Sequence, residues 1–310
     1  MMPSPFLTTA LLGALSAVSA LSLRSAAIPS LSAADLALKP RPPRPRARDA
    51  AAADAPPLLR CCEWQAAHCA TNYGGVRDWY DGESVEWVRG GVTYRGTDEG
   101  NWGVDYATYR DGFARPLAAE LADLAAGSAV YESAVGAGWL LRGIDEALDV
   151  ELRYAGNDVS EAALASARRD LPKGSFAVGD SLNLTWVDAA TFDAVLCGFV
   201  DTIDADAARE KERTGAWVGE MTRLAKPGAL IVAGNVEPPK AIPAPPGGLY
   251  AAATGADGVN PDWWRACAAS DEHGWGVDPD SVRIRPLDDR ALIDAWGERY
   301  SVFMRRRCDA

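Results

Sequence analysis

Histidine is the scarcest reactive side chain here: His68 and His273 are the only two in 310 residues. A base working near neutral pH therefore has two candidates. Cysteine is sparse as well, and its six positions form no framework. Cys61, Cys62 and Cys69 make a CC-x6-C cluster without the paired second half of a zinc site. Cys197 falls in an apolar run that reads as a buried strand, Cys267 in a helix, and Cys308 near the end. The pattern reads as free thiols in a reducing compartment, with no metal expected. Positive charge is also short, with 31 Lys and Arg against 43 Asp and Glu. Residues 1–57 hold six of the basic and three of the acidic side chains, so the chain from residue 58 onward has 25 against 40, a formal charge of −15. Such a surface repels phosphate backbones, and neither nucleic acid nor an anionic membrane is an expected partner. Arg305-Arg306-Arg307, the one basic cluster, reads as a solvated chain end.

Long apolar runs are missing too. The uncharged stretch Phe6 to Leu23 is interrupted by Ser, Thr and Gly and sits at the short edge of what spans a bilayer. It ends in the small-residue pattern Val18-Ser19-Ala20, and a Ser/Ala/Arg-rich segment with the basic run Lys39 to Arg48 follows. Residues 1–57 therefore read as a targeting leader and Pro/Arg-rich linker, expected to be disordered or removed. The two-part composition resembles the plastid leaders of algae with complex plastids, with secretion or a mitochondrion as alternatives.

What is present begins with Val130 to Gly138, VYESAVGAG: a short apolar run, an acid, and a small-residue turn containing Gly136 and Gly138. A strand running into such a turn lets backbone approach a nucleotide, and Asp158, twenty residues past Gly138, stands where a carboxylate can take both hydroxyls of a ribose. Glu161 to Leu171 reads as a helix. Gly179-Asp180 ends the next strand, Phe192 to Phe199 form another, a helix ends at Lys226, Pro227-Gly228 turn the chain, and Ala229 to Gly234 read as a buried parallel strand. A nicotinamide site fits less well, because Leu141 stands where the third glycine of G-x-G-x-x-G belongs.

In this order and spacing the elements over residues 116–237 resemble the class I S-adenosylmethionine-dependent methyltransferases. The resemblance implies an α/β, Rossmann-like seven-stranded sheet with helices on both faces, the last strand antiparallel, behind an aromatic N-terminal cap. It implies S-adenosylmethionine as cofactor and a small-molecule acceptor. Glu132 would lie near the amino group of the cofactor's methionine part, with Ala134, Gly136 and Gly138 in the turn beneath it. Asp158 and its neighbour Val159 would lie at the ribose, Asp180 and Ser181 at the adenine, and Cys197 beside them at the end of the fourth strand. Ala134 replaces the family's first glycine, which is tolerated where φ stays negative.

The cap, residues 58–115, is dense in aromatics, and Tyr106, Tyr109 and Arg110 are expected to look down on the cofactor's methionine end; most of the other rings are expected to pack the cap onto the sheet. The catalytic domain follows over 116–310. Its proline-rich stretch near 237–260 is long enough for a lid. Pro261 to Asp271 reads as a helix bearing Trp263 and Trp264, Val282 to Leu287 as a strand, Asp288 to Trp296 as a helix and Tyr300 to Met304 as the antiparallel strand. The Asn/Asp-Pro-Pro-aromatic motif of amide and adenine N-methyltransferases is absent, since Cys197-Gly198-Phe199-Val200 stands there. Gly198 and Gly234 replace the two aspartates with which catechol-type enzymes hold magnesium, so a metal-assisted mechanism is not expected. His273 is the candidate base for an O- or N-acceptor. A thioether acid, as in dimethylsulfoniopropionate-type synthesis, needs no base and would favour aromatic walls. A non-catalytic cofactor-binding protein is the rival class.

Overall fold

The computed structural model describes residues 58–59, 65–67, 69, 103–199, 207–236, 259–270 and 274–308, and the backbone of 86–89 and 92–95. The expected leader (1–57), most of the expected lid (237–258), His68 and His273 lie outside the described residues.

Two strands, β1 (Glu86–Arg89) and β2 (Val92–Arg95), pair antiparallel. This region has none of the long apolar runs of parallel strands; the hairpin's sequence signal is the Gly90-Gly91 pair between two short β-branched and aromatic runs. A continuous helical stretch, 106–121 (α1), follows; it is α-helical at Tyr106–Tyr109, π-wound at Arg110–Ala114 and tightens to a 3-10 turn at Ala119–Leu121. The alternating unit then begins with β3 (Ala129–Ser133), α2 (Trp139–Ala147), β4 (Arg153–Asp158), α3 (Glu161–Asp170) and β5 (Ser175–Val178). It continues with β6 (Phe192–Cys197), α4 (Ala207–Leu224), β7 (Ala225–Val236), α5 (Pro261–Ala269), β8 (Arg283–Pro286), α6 (Arg290–Trp296) and β9 (Tyr300–Arg305).

Seven strands make one sheet in the order β5-β4-β3-β6-β7-β9-β8. The first five run parallel and β9 enters antiparallel between β7 and β8, as the sequence order implies. Alternation along each strand sends side chains to two cores. Tyr131, Val195, Ile231 and Val302 pack with α4 and α5 on one face. Val130, Leu196, Val232 and Phe303 pack with α1, α2, α3 and α6 on the other. β3 is buried at all five positions, through its apolar start at Ala129 to Tyr131 and on through Glu132 and Ser133.

Capping fixes where helices start. Ser160, Asn260 and Asp289 each accept a hydrogen bond from the backbone nitrogen three residues on, opening α3, α5 and α6. Pro261 occupies the first turn of α5, where its missing N–H costs nothing. α4 ends at Leu224, two residues before the expected Lys226, and the strand begins at once at Ala225. Pro227 disfavours helix in the residue before it, and Lys226 Nζ instead binds both oxygens of Asp193 on β6 at 2.8 and 2.9 Å.

Candidate functional site

The parallel strands end along one edge of the sheet, and at a switch of chain direction such an edge is where α/β folds bind ligands. β3 lies at that switch, between β4 and β6. The ends of β5, β4 and β3 bring three acids to neighbouring strands: Asp180, just past β5, Asp158 and Glu132. All three are buried, at 8%, 8% and 3% exposure.

Glu132 is the most constrained. Its Oε2 is buried and accepts no hydrogen bond. Burial pushes its carboxyl well above the ordinary carboxylate range, and the neighbouring Asp158 adds to this, while backbone N–H groups of Gly198 and Leu141 pull the other way. A Cβ placed on Gly198 would lie 2.9 Å from Glu132 Oε1 and 3.1 Å from the Tyr109 hydroxyl, so glycine at the end of β6 leaves these two groups together. Tyr109 is 2% exposed, and burial followed by the charge of Glu132 raises its hydroxyl well above the usual value.

The turn after β3 is left-handed at alternate residues: φ is +52° at Ala134, +52° at Gly136 and +80° at Gly138. The expectation that Ala134 keeps a negative φ is therefore corrected. The chain needs a glycine-like conformation there and holds it with an alanine, at a cost of about 1–2 kcal/mol. Asp158 anchors the turn, Oδ2 accepting from Gly136 N at 2.9 Å while Oδ1 accepts from Ser160 N at 2.9 Å. Gly138 allows close helix packing, since a Cβ there would meet that of Ala167 on α3 at 3.0 Å. Val159 is half-buried between Asp158 and the α3 cap.

Beyond β5, Leu182 N donates to Asp180 Oδ1 at 2.8 Å, and Ser181 Oγ accepts from Asn157 Nδ2 at 3.1 Å. Cys197 is 2% exposed, its thiol donating to Phe199 O at 3.1 Å. The structure thus brings Glu132, Ala134, Gly136, Gly138, Asp158, Val159, Asp180, Ser181 and Cys197 to one edge, with Tyr109 over Glu132. Tyr106 and Arg110 turn elsewhere. The Tyr106 ring lies 4.0 Å from the Arg142 guanidinium, with its hydroxyl beside Gly143 on α2. Arg110 pairs with Asp111 and Glu146.

Three groups at this edge carry no sequence signal. Gln65, fully buried, bonds to the backbone of Asp180 and Asn183. Cys69 is 1% exposed, and burial, then the charges of Asp180 and Asp158, push its thiol up to about 11. Asn235, next to last in β7 at φ +49°, donates to Gly198 O at 2.8 Å and has a buried Oδ1 without a partner.

Gly234 leaves no room for a carboxylate, because a Cβ there would lie 2.7 Å from Cys197 O and 2.8 Å from Phe113 Cζ. Among the described residues no group of three His, Cys, Asp or Glu side chains converges as for a metal. Trp264 and Trp275 are core residues at 0% and 4% exposure, packed edge-on with Trp263. The Trp264 indole donates to the Tyr300 hydroxyl at 3.2 Å. These indoles hold α5 to the sheet.

Residues 131–233, about a third of the chain, match the family model described as a methyltransferase domain. A search of curated proteins finds no match. Among solved structures, the chain is similar to magnesium protoporphyrin IX methyltransferase from Synechocystis PCC 6803 with bound SAH, at 17% identity over 75% of this chain and 98% of that one, TM-score 0.46. It is also similar to a SAM-bound amino pentose methyltransferase from Micromonospora echinaspora, at 17% identity over 66% and 92%, TM-score 0.44. A third is phosphoethanolamine N-methyltransferase 2 of Haemonchus contortus, at 12% identity over 66% and 57%, TM-score 0.43. At these identities and scores none bears on acceptor or mechanism.

Proposed function

We propose that this chain, which carries a methyltransferase domain of the class I S-adenosylmethionine-dependent kind, transfers a methyl group to a small molecule without a metal. The observation that carries the reading is Glu132: a carboxyl 3% exposed with an unpartnered oxygen, in a row with Asp158 and Asp180 at the ends of three adjacent strands. A buried acceptor of this kind is costly unless a ligand donor meets it.

The residues present fit the cofactor. Glu132 Oε2 is free to accept from its ammonium group. Asp158, whose oxygens accept from Gly136 N and Ser160 N, would take the ribose hydroxyls at the end of β4. Asp180, at the end of the neighbouring strand, would meet the adenine amino group. S-adenosylmethionine, when bound, supplies an electrophilic methyl on a sulfonium. The protein's part is then to align an acceptor and exclude water. The crowding at Gly234 supports the metal-free reading, since the aspartate a magnesium site would need there has no space.

For the acceptor we propose two candidates. A thioether acid, giving a dimethylsulfoniopropionate-type sulfonium, requires no base. An O- or N-acceptor would use His273. The test is incubation with labelled S-adenosylmethionine and panels of thioether acids, phenols and amines, with S-adenosylhomocysteine titrated by calorimetry in parallel. Turnover of a thioether, unchanged by His273→Ala, supports the first; turnover of a phenol or amine abolished by that substitution supports the second. Tight binding with no turnover anywhere would leave a non-catalytic cofactor-binding protein.

A further inference from the structure

Two side chains grip the loop after β5 from opposite sides. From within the sheet, Asn157 Nδ2 donates to Gly179 O at 2.8 Å and Ser181 Oγ at 3.1 Å, while its Oδ1 accepts from the Tyr131 hydroxyl. From the N-terminal segment, Gln65 Oε1 accepts from Asp180 N at 3.3 Å and Gln65 Nε2 donates to Asn183 O at 2.9 Å. The loop closes on itself between them, with Asn183 N donating to Asp180 O at 3.0 Å and Leu182 N to Asp180 Oδ1 at 2.8 Å. One carboxamide thus holds both ends of the turn that carries Asp180, from 115 and 118 residues away in sequence.

Burial alone does not call for a glutamine. Gln65 is 0% exposed, and an apolar side chain of equal length would fill the space without desolvating an amide. What the amide adds is direction: both of its hydrogen bonds go to backbone of one turn, and they fix the peptide from which the Asp180 side chain leaves. Cys69, four residues on, lies near enough to Asp180 and Asp158 for both to raise its thiol, so the segment from 65 to 69 borders the same acids.

We propose that Gln65 is a positioning residue for purine recognition. It fixes the Asp180 turn so that the carboxylate meets the exocyclic amino group of adenine, and it thereby makes the site choose 6-amino over 6-keto purines. A carboxylate accepts from an amino group but faces a keto oxygen with no donor between them, and a site built around such a hydrogen bond rejects the analogue that lacks it. The proposal rests on the cofactor-binding reading above.

The test titrates the full chain by calorimetry with S-adenosylhomocysteine and with S-inosylhomocysteine, which carries oxygen in place of the 6-amino group and, in its keto form, a proton on N1. Wild type should prefer the adenosyl ligand by a factor on the order of ten to a hundred, the range of one charge-assisted hydrogen bond. Gln65→Met should shrink that preference about tenfold, mainly by losing affinity for the adenosyl ligand. Gln65→Glu, which keeps the acceptor for Asp180 N and loses the donor to Asn183 O, should fall between. Equal weakening of both ligands in Gln65→Met, with the preference intact, would mean that Gln65 only supports the fold, and the proposal fails. Should Gln65→Met not fold, a wild-type preference in Gln65→Glu overturns it equally. Wild type that binds both ligands alike would remove Asp180 from the purine and overturn this inference alone. Wild type that binds neither would overturn the methyltransferase reading beneath it.

Discussion

Asp158 Oδ2 accepts a hydrogen bond from the backbone nitrogen of Gly136 at 2.9 Å, tying the end of β4 to the turn after β3. With Ser160 N bonded to the other oxygen, the carboxylate ties the turn after β3 to the start of α3 within the protein's own structure. This strand-end acid therefore belongs to the fold as well as to the site. Asp158→Ala leaves both N–H groups without this partner and should cost about 1–3 kcal/mol in denaturant unfolding. It should also weaken S-adenosylhomocysteine on the order of a hundredfold, from the loss of two charge-assisted ribose bonds. Asp158→Glu should do less harm on both counts. Full affinity in Asp158→Ala would remove this acid from the ribose.

Ala134 offers a gain of stability. Its φ of +52° is strained for any side chain, and its methyl is exposed, so no packing is lost on removing it. Glycine relieves about 1–2 kcal/mol of strain and gives back about 0.4–1 kcal/mol through the greater freedom of the unfolded chain. Ala134→Gly should therefore stabilise by about 0.5–1 kcal/mol, seen as a higher denaturant midpoint at unchanged slope. A lower midpoint would refute the strain argument.

Glu132 should make cofactor binding depend on pH. Its carboxyl is raised by burial and by Asp158, with the Tyr109 hydroxyl also facing it, so the empty site favours the protonated form. The sign follows from linkage. A raised acid contributes stability that is fully present below its unfolded value, and that contribution is lost as pH rises through the folded value. A ligand ammonium beside it favours the carboxylate, so binding should release a proton while Glu132 is still protonated in the free protein. Calorimetry in buffers of different ionisation enthalpy should show this release, with affinity rising as pH rises toward the folded value. In Glu132→Gln the release should vanish and affinity should fall. Proton uptake on binding would contradict the assignment.

The strand-end row was legible because its signals are local: apolar runs for β3, β4 and β6, acids at their ends, and small residues between Ala134 and Gly138. The closing antiparallel strand was legible for the same reason. What stayed hidden depends on contacts between distant parts of the chain. Gln65 meets a loop 115 residues away, and no periodicity in the cap announces it. Tyr106 and Tyr109 are three apart on α1, yet the first docks on α2 under Arg142 and the second over Glu132, which only the packing of the helix decides. Trp263 and Trp264 read equally well as pocket wall or core, and the burial of Trp264 against Tyr300 gives them to the core.

The N-terminal segment should report cofactor binding through Cys69. Its thiol is 1% exposed and pushed up to about 11 by burial and by the charges of Asp180 and Asp158, so thiolate is scarce and alkylation must await local opening of the segment. Cys308, exposed near the chain end, provides an internal control. Iodoacetamide at pH 8 with peptide mapping should label Cys308 quickly and Cys69 slowly. A ligand that binds only the closed form suppresses opening by the factor 1 + [L]/Kd, about a hundredfold at a hundred times its dissociation constant. S-adenosylhomocysteine should therefore slow Cys69 by tenfold or more and leave Cys308 unchanged, while Gln65→Met, lacking both bonds to the Asp180 turn, should speed Cys69 in the free protein. Equal labelling of Cys69 with and without the ligand would place the segment away from the adenosyl site.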